Sequence, residues 1–258
     1  MGKSNIRLVH SMARTGSTVI SKCLACMKDV ILLSEIHPLG IKQFNPVRQA
    51  QQWYNLFTNS ELQEYSSQSH TFVSVIRLIN DRVEFLGKKL VLRDWAHLDF
   101  TAVPFLPEPS YRLMLYESLV NDFNLLRIAI TRHPINQWLG LSKLHRVQDR
   151  LTLEQFLTDY LRFAQITKEI GFIRYEDFTH DPDAILEQIT YCLQLEYDPE
   201  YKKNWMNYTN ITGDRKNTWR EIKPWSHPQL EKSLIKRFTK NNDYRASLKI
   251  LGYEHFNE

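Results

Sequence analysis

A chain of 258 residues is long enough to bury one full core, and 43% hydrophobic with 24% charged content excludes a disordered or low-complexity protein. The formal net charge of +4 includes no Lys/Arg block of the kind that tracks a nucleic-acid backbone, so nucleic acid is not an expected partner. No run of 18 apolar residues and no signal-type N-terminal stretch occur, so the expectation is a soluble, cytoplasmic chain without a membrane span. Three cysteines are too few for a disulfide framework. Cys23 and Cys26 have no second ligand pair and read as small core residues of a helix rather than as metal ligands.

In chain order, Ile6-Arg7-Leu8-Val9 is of strand type, and a turn from Ser11 to Gly16 leads into a helix beginning at Ser17 and Thr18. Val19, Ile20, Cys23 and Leu24 recur there at helical spacing. Val30 to Leu33 is a second buried strand, running into Ser34-Glu35-Ile36-His37-Pro38. Residues 46–70 are polar and aromatic, with helical patches around Val47 to Phe57. Phe72 to Leu86 is an amphipathic helix, with Phe72, Val75, Ile76, Ile79, Val83 and Leu86 on one face and Gly87 ending it. Lys88 to Asp94 reads as a third strand, followed by Trp95-Ala96-His97.

Pro104, Pro107 and Pro109 break the next region, and Tyr111 to Leu119 fits either strand or helix. Leu125 to Thr131 is a buried strand that runs straight into Arg132-His133-Pro134, where Pro134 starts a helix reaching about His145. Thr152 caps a longer helix over Leu153 to Ile170; Phe172 to Tyr175 is a last short strand, and a helix follows from about Pro182 to Leu193. The remainder is basic and rich in Trp and Tyr, with a loop around Thr212 to Arg215 and a terminal helix near Pro228 to Leu251. Short apolar strands alternating with helices predict one α/β domain over residues 1–258, a mostly parallel sheet covered by helices on both faces. In such a sheet ligands gather at the carboxyl ends of the strands, which places Arg14, Glu35, Arg93 with His97, and Arg132 along one edge.

A strand, a tight turn holding one Gly and a helix N-terminus make an anion site, because unpaired backbone N–H groups and the positive end of the helix dipole face the incoming charge. Ser17 and Thr18 can add hydroxyl donors and Arg14 a charged planar fork. The stretch is not a Walker loop: no Gly stands five residues before Gly16 and no Lys follows it. By spacing alone an ordinary strand-to-helix turn capped by a Ser accounts for it equally.

Arg14-Thr15-Gly16-Ser17-Thr18 after a strand resembles the loop that binds the 5′-phosphosulfate of PAPS (3′-phosphoadenosine-5′-phosphosulfate) in sulfotransferases. Ile128 to Lys143 resembles the same family's 3′-phosphate segment, in which a strand is followed by Arg-x-Pro and, eight residues after the Arg, a Ser; Arg132 matches, Gly140 stands at the Ser position, and Ser142 lies two residues further on. Gly171 to Ile189 is similar to the family's strand, Tyr-Glu-Asp and downstream Pro; Tyr175, Glu176 and Asp177 read as mainly structural. Gly213 to Asn217, with Arg215 and Lys216, stands where the family closes a basic loop over the 3′-phosphate.

The resemblance implies a PAPS sulfotransferase fold and transfer of a sulfuryl group from PAPS to a hydroxyl or amine of a small-molecule, carbohydrate or lipid acceptor, leaving PAP. The cofactor set it implies is Arg14, Thr15, Gly16, Ser17, Thr18, Arg132, Ser142, Arg215 and Lys216, with no metal. For the general base, Glu35 in its Ser-Glu-x-x-Pro context is similar to a catalytic Glu of some bacterial members, which also leans the chain towards a bacterial source. His97 is the second choice, similar to the catalytic His of cytosolic members, with Arg93 standing where those carry a Lys, although that His follows its basic residue by two positions and His97 follows Arg93 by four. Two other readings stay open: a PAP-binding protein without turnover, suggested by Gly140, and a small nucleotide-dependent kinase, disfavoured by the missing Walker Lys. No residue pattern selects one acceptor or an oligomeric state.

Overall fold

The computed structural model describes residues 2–67, 69–213, 221–224 and 230–255. Five strands form one sheet: β1 (Asn5–Ser11), β2 (Val30–Ile36), β3 (Lys89–Asp94), β4 (Asn124–Thr131) and β5 (Phe172–Arg174). They lie in the order β2-β3-β1-β4-β5, and every pair is parallel. The chain moves to one side of β1 for β2 and β3 and to the other for β4 and β5. The carboxyl end of β1 is therefore the topological switch point, where such sheets open a crevice for ligands.

Both faces are covered, which is why the strands read as continuous apolar runs. Ile6 and Leu8 of β1 point with Leu33, Leu90 and Leu92 to one face, under α2 (Pro46–Tyr54) and α4 (Phe72–Phe85). Val9, Leu32, Val91, Ile128 and Ile173 point to the other, under α1 (Ser17–Ala25) and α11 (Pro182–Cys192). Between these in the chain run α3 (Asn59–Ser67), α5 (Ala96–Thr101), α6 (Met114–Leu119), α7 (Pro134–Leu141), α8 (His145–Gln148), α9 (Leu153–Ile170) and α10 (Tyr175–His180). A third cluster gathers Met12, Phe100 and Ile135 around the aromatic face of α9, Phe156, Tyr160 and Phe163.

The structure decides one open segment and corrects two expectations. Of Tyr111 to Leu119, Met114–Leu119 forms α6, because Leu115 and Leu119 fall one turn apart against the β1–β3 core. The helix expected from Pro134 to about His145 stops at Leu141, with Ser142 as its C-cap, and α8 starts afresh at His145. The single terminal helix is two, Lys232–Lys240 and Asn242–Leu251, since Asn241 leaves helical geometry and its side chain accepts from the Tyr244 N–H as an N-cap. Among the described residues no helix is long and apolar enough to cross a membrane.

Candidate active site at the carboxyl edge of the sheet

The turn between β1 and α1 is shaped by two left-handed residues, Arg14 at φ 66° and Gly16 at φ 87°. Gly16 is required: a Cβ there would lie 2.2 Å from the Tyr175 ring. It is also the N-cap of α1 and supplies no side-chain cap, so Ser17 is the first helical residue rather than the cap. The carbonyls of the turn are taken up by side chains. Thr15 Oγ1 donates to the Met12 carbonyl at 3.0 Å, Gln137 Nε2 to that of Ala13 at 2.9 Å and Arg132 Nη1 to that of Arg14 at 3.1 Å. With those acceptors occupied, the turn is left with amide donors at a helix N-terminus, the arrangement that binds anions.

A cavity of about 810 Å³ opens directly above this turn. Arg14, Gly16, Ser17, Thr18, Glu35, Arg93 and Arg132 all line it, so seven cofactor or catalytic candidates from four separate segments meet in one space. Arg132 leaves the end of β4 with its guanidinium carbon 4.9 Å from the Tyr175 ring centre, and burial pulls its pKa below the ordinary arginine value. The α7 helix that follows brings Gly140 against Arg14: a Cβ on Gly140 would lie 3.0 Å from Arg14 Nε and 3.2 Å from Arg14 Cβ. The missing serine hydroxyl thus coincides with room for the Arg14 side chain.

Glu35 is the extra residue of a bulge in β2. Ser34 pairs with Arg93 and Ile36 with Asp94, and Glu35 between them adopts φ 56°. The bulge turns the Glu35 side chain out of the strand alternation and into the cavity wall. Arg93, only 2% exposed, is a structural tie: Nη1 donates to Thr18 Oγ1 at 2.9 Å, and Nη2 to Ser34 Oγ at 2.6 Å, Thr212 Oγ1 at 2.9 Å and the Thr212 carbonyl at 3.0 Å. It stands 3.8 Å from Glu35 Oε1; burial lowers its pKa and the Glu35 charge opposes that shift.

Other candidates fall elsewhere. Thr15 is fully buried and spent on the Met12 carbonyl, and it does not line the cavity. Ser142 caps α7 and is also outside the wall. His97 is buried within α5, with Nε2 3.2 Å from Thr101 Oγ1, and burial pulls its pKa down to about 4. It is not part of the cavity lining; Trp95, two residues after Arg93, is. Arg215 and Lys216 lie outside the described residues.

Several wall residues escaped the sequence reading. Lys22 was legible, four residues after Thr18 and so on the same helical face. Lys143 and Trp205 carried no local signal. Tyr175, read as structural, packs on Gly16 and forms part of the wall, while Glu176 holds the Arg132 turn by accepting from the His133 N–H at 3.0 Å.

This all-parallel sheet flanked by helices, with a strand–turn–helix at its central strand, is the fold of sulfotransferase domains. It aligns over 97% of its length with 98% of a sulfotransferase domain from the curacin biosynthetic pathway, at 18% identity and a TM-score of 0.59. It aligns over 98% of its length with 97% of the sulfotransferase domain from the Synechococcus PCC 7002 olefin synthase, at 15% identity and a TM-score of 0.64. The chain matches no family model and no curated protein sequence.

Proposed function

We propose that the protein is a PAPS-dependent sulfotransferase that moves a sulfuryl group onto a hydroxyl or amine of a small acceptor. The observation that carries this reading is the convergence of the anion-binding turn, Arg14, Arg132 and a bulged carboxylate, Glu35, on one cavity. The residues suit the cofactor: amides at a helix N-terminus, hydroxyls on Ser17 and Thr18, and two arginines match a ligand with two separated phosphate groups. Bound PAPS supplies the sulfuryl group, whose bond to the 5′-phosphate oxygen breaks, with the electron pair leaving on PAP, as the bond to the acceptor forms.

In this reading Arg14 and the turn amides hold the leaving 5′-phosphate and offset its developing charge, and Arg132 holds the 3′-phosphate. Glu35 accepts the acceptor's proton, and Arg93 keeps that carboxylate near the turn by binding Thr18 and Ser34 together. The residues act mainly by positioning and charge, as in phosphoryl transfer.

Thermal unfolding with PAP, with ATP plus Mg²⁺ and with neither ligand tests the reading. PAP at about 100 times its Kd stabilises by roughly 2.7 kcal/mol. Arg14→Ala and Arg132→Ala each lose charge-assisted contacts worth about 1.5–3 kcal/mol, and the rise in Tm shrinks accordingly. A rise with ATP and Mg²⁺ alone would refute the proposal.

A further inference from the structure

Glu35 and Arg93 account for only part of the β2–β3 side of the cavity. Asp94, the last residue of β3, also forms part of that wall. Its side chain is fully buried and meets the equally buried His10, with Oδ2 2.6 Å from His10 Nδ1. Asp94 Oδ1 has no hydrogen-bond partner among the described residues. Asn136, in the first turn of α7 and also in the wall, is buried with both amide atoms unpartnered. Buried polar atoms are normally hydrogen-bonded, so these two wall residues have capacity for a ligand's polar groups.

A second buried pair provides the contrast. His37 Nε2 lies 2.9 Å from Asp99 Oδ1, Ser110 Oγ also donates to that oxygen, and Asp99 Oδ2 accepts from the Met114 N–H. Asp99 has both oxygens engaged and is not part of the cavity wall. Of two histidine-backed aspartates in adjoining segments, the one on the cavity is the one with an oxygen to spare.

The cations Arg14, Lys22, Arg132 and Lys143 that line this space come from the β1–α1 turn, α1, the residue after β4 and the segment after α7, and the carboxylates Glu35 and Asp94 come from the neighbouring strands β2 and β3. Arg93, the cation beside Glu35, is committed to Thr18, Ser34 and Thr212. A ligand end placed there meets carboxylate oxygens, which accept hydrogen bonds from O–H or N–H donors and repel anions.

We propose that the β2–β3 side is the acceptor end and that Asp94, oriented by His10, positions the reacting hydroxyl of an uncharged or cationic alcohol, while anionic acceptors are rejected. This rests on the sulfuryl-transfer reading. Asp94 Oδ1 accepts from the acceptor hydroxyl or a neighbouring donor, His10 fixes the carboxylate, and Glu35 remains the group that takes the proton.

The test uses the full chain with sulfur-labelled PAPS and three benzylic alcohols differing in charge: 4-(hydroxymethyl)benzylamine, benzyl alcohol and 4-(hydroxymethyl)benzoate. Wild type should transfer to the first two with kcat/KM at least about tenfold above the benzoate, the scale of one charge-assisted hydrogen bond. Asp94→Ala should raise KM for benzyl alcohol about tenfold or more, with kcat less affected and the PAP-induced rise in Tm retained. Asp94→Asn, which keeps shape and drops charge, should narrow the amine-to-benzoate ratio, and it serves if the alanine variant fails to fold. His10→Ala should raise KM similarly, and His10→Asn, whose amide can donate near the position of Nδ1, should restore most of the loss. Unchanged KM in Asp94→Ala and Asp94→Asn with PAP binding intact, or a wild-type preference for the benzoate, overturns the assignment alone. So does a wild type that binds PAP but transfers to none of the three alcohols. Absence of PAP binding by wild type refutes the sulfuryl-transfer reading instead.

Discussion

Gly16→Ala perturbs the β1–α1 turn at the point where backbone and packing both depend on a missing side chain. The residue sits at φ 87°, and an alanine held in the left-handed region costs about 1–2 kcal/mol. Its Cβ would also lie 2.2 Å from Tyr175 Cε2 and 2.3 Å from Cδ2, so the ring must move, an overpacking penalty of about 1–3 kcal/mol. The expected loss is about 2–5 kcal/mol, or roughly 4–9 °C in Tm for a chain of this size. Gly87→Ala is the control. Gly87 has φ 69° and nothing within 4 Å of the added Cβ, so only the backbone penalty of about 1–2 kcal/mol applies. Urea unfolding measures both, and calorimetric titration with PAP reads the turn. Gly16→Ala combined with Tyr175→Ala should cost less than the sum of the single changes by about 1–3 kcal/mol, because the clash disappears. If Gly16→Ala costs no more than Gly87→Ala, or the double variant is additive, Tyr175 does not brace the turn and the reasoning fails.

Arg93→Ala removes the donor shared by Thr18, Ser34 and Thr212; loss of about 3–5 kcal/mol in urea unfolding is expected, and a loss below about 1 kcal/mol would contradict its role as a tie. Burial of the His97 imidazole pulls its pKa down to about 4 from the ordinary 6.5, so the folded protein binds fewer protons than the unfolded chain between these values. The stability that neutral His97 permits is complete above pH 6.5 and is lost as pH falls towards 4, an effect of about 3 kcal/mol. His97→Asn should flatten stability across that window, and an unaltered pH profile would show that His97 is not buried in its neutral form.

Periodicity carried the sheet. Leu8 and Val9, Leu32 and Leu33, Leu90 and Val91 are apolar on successive positions because each strand is covered on both faces, and that pattern needs no partner strand to be seen. The long helix α9 was legible to its ends from the Thr152 cap, whose Oγ1 accepts from the Gln155 N–H, and from the glycine that follows Ile170. The break at Asn241 was less visible, since apolar spacing continues through Phe238 to Tyr244 and Leu248 while the backbone turns.

At the site, residues that belong to one local motif were readable and residues joined across the sheet were not. Arg14, Gly16, Ser17 and Thr18 fall in one strand–turn–helix, and Arg132 ends a strand in front of a proline, so their chemistry follows from chain order. The sequence ranked Glu35 ahead of His97 for base chemistry but kept both. Their surroundings differ in the tertiary structure: a bulge at φ 56° turns Glu35 into the cavity wall, while the α5 helix carries His97 into the core. Pairs such as Asp94 with His10, Arg93 with Thr212 and Gly140 with Arg14 are separated by 84 to 126 positions and meet only because parallel strands bring their carboxyl ends to one edge. Local sequence determined the strand–turn–helix around Gly16, because a few adjacent residues impose that backbone geometry. The placement of Glu35, Arg93 and Asp94 on one cavity wall depends on strand order and burial, which are properties of the assembled sheet.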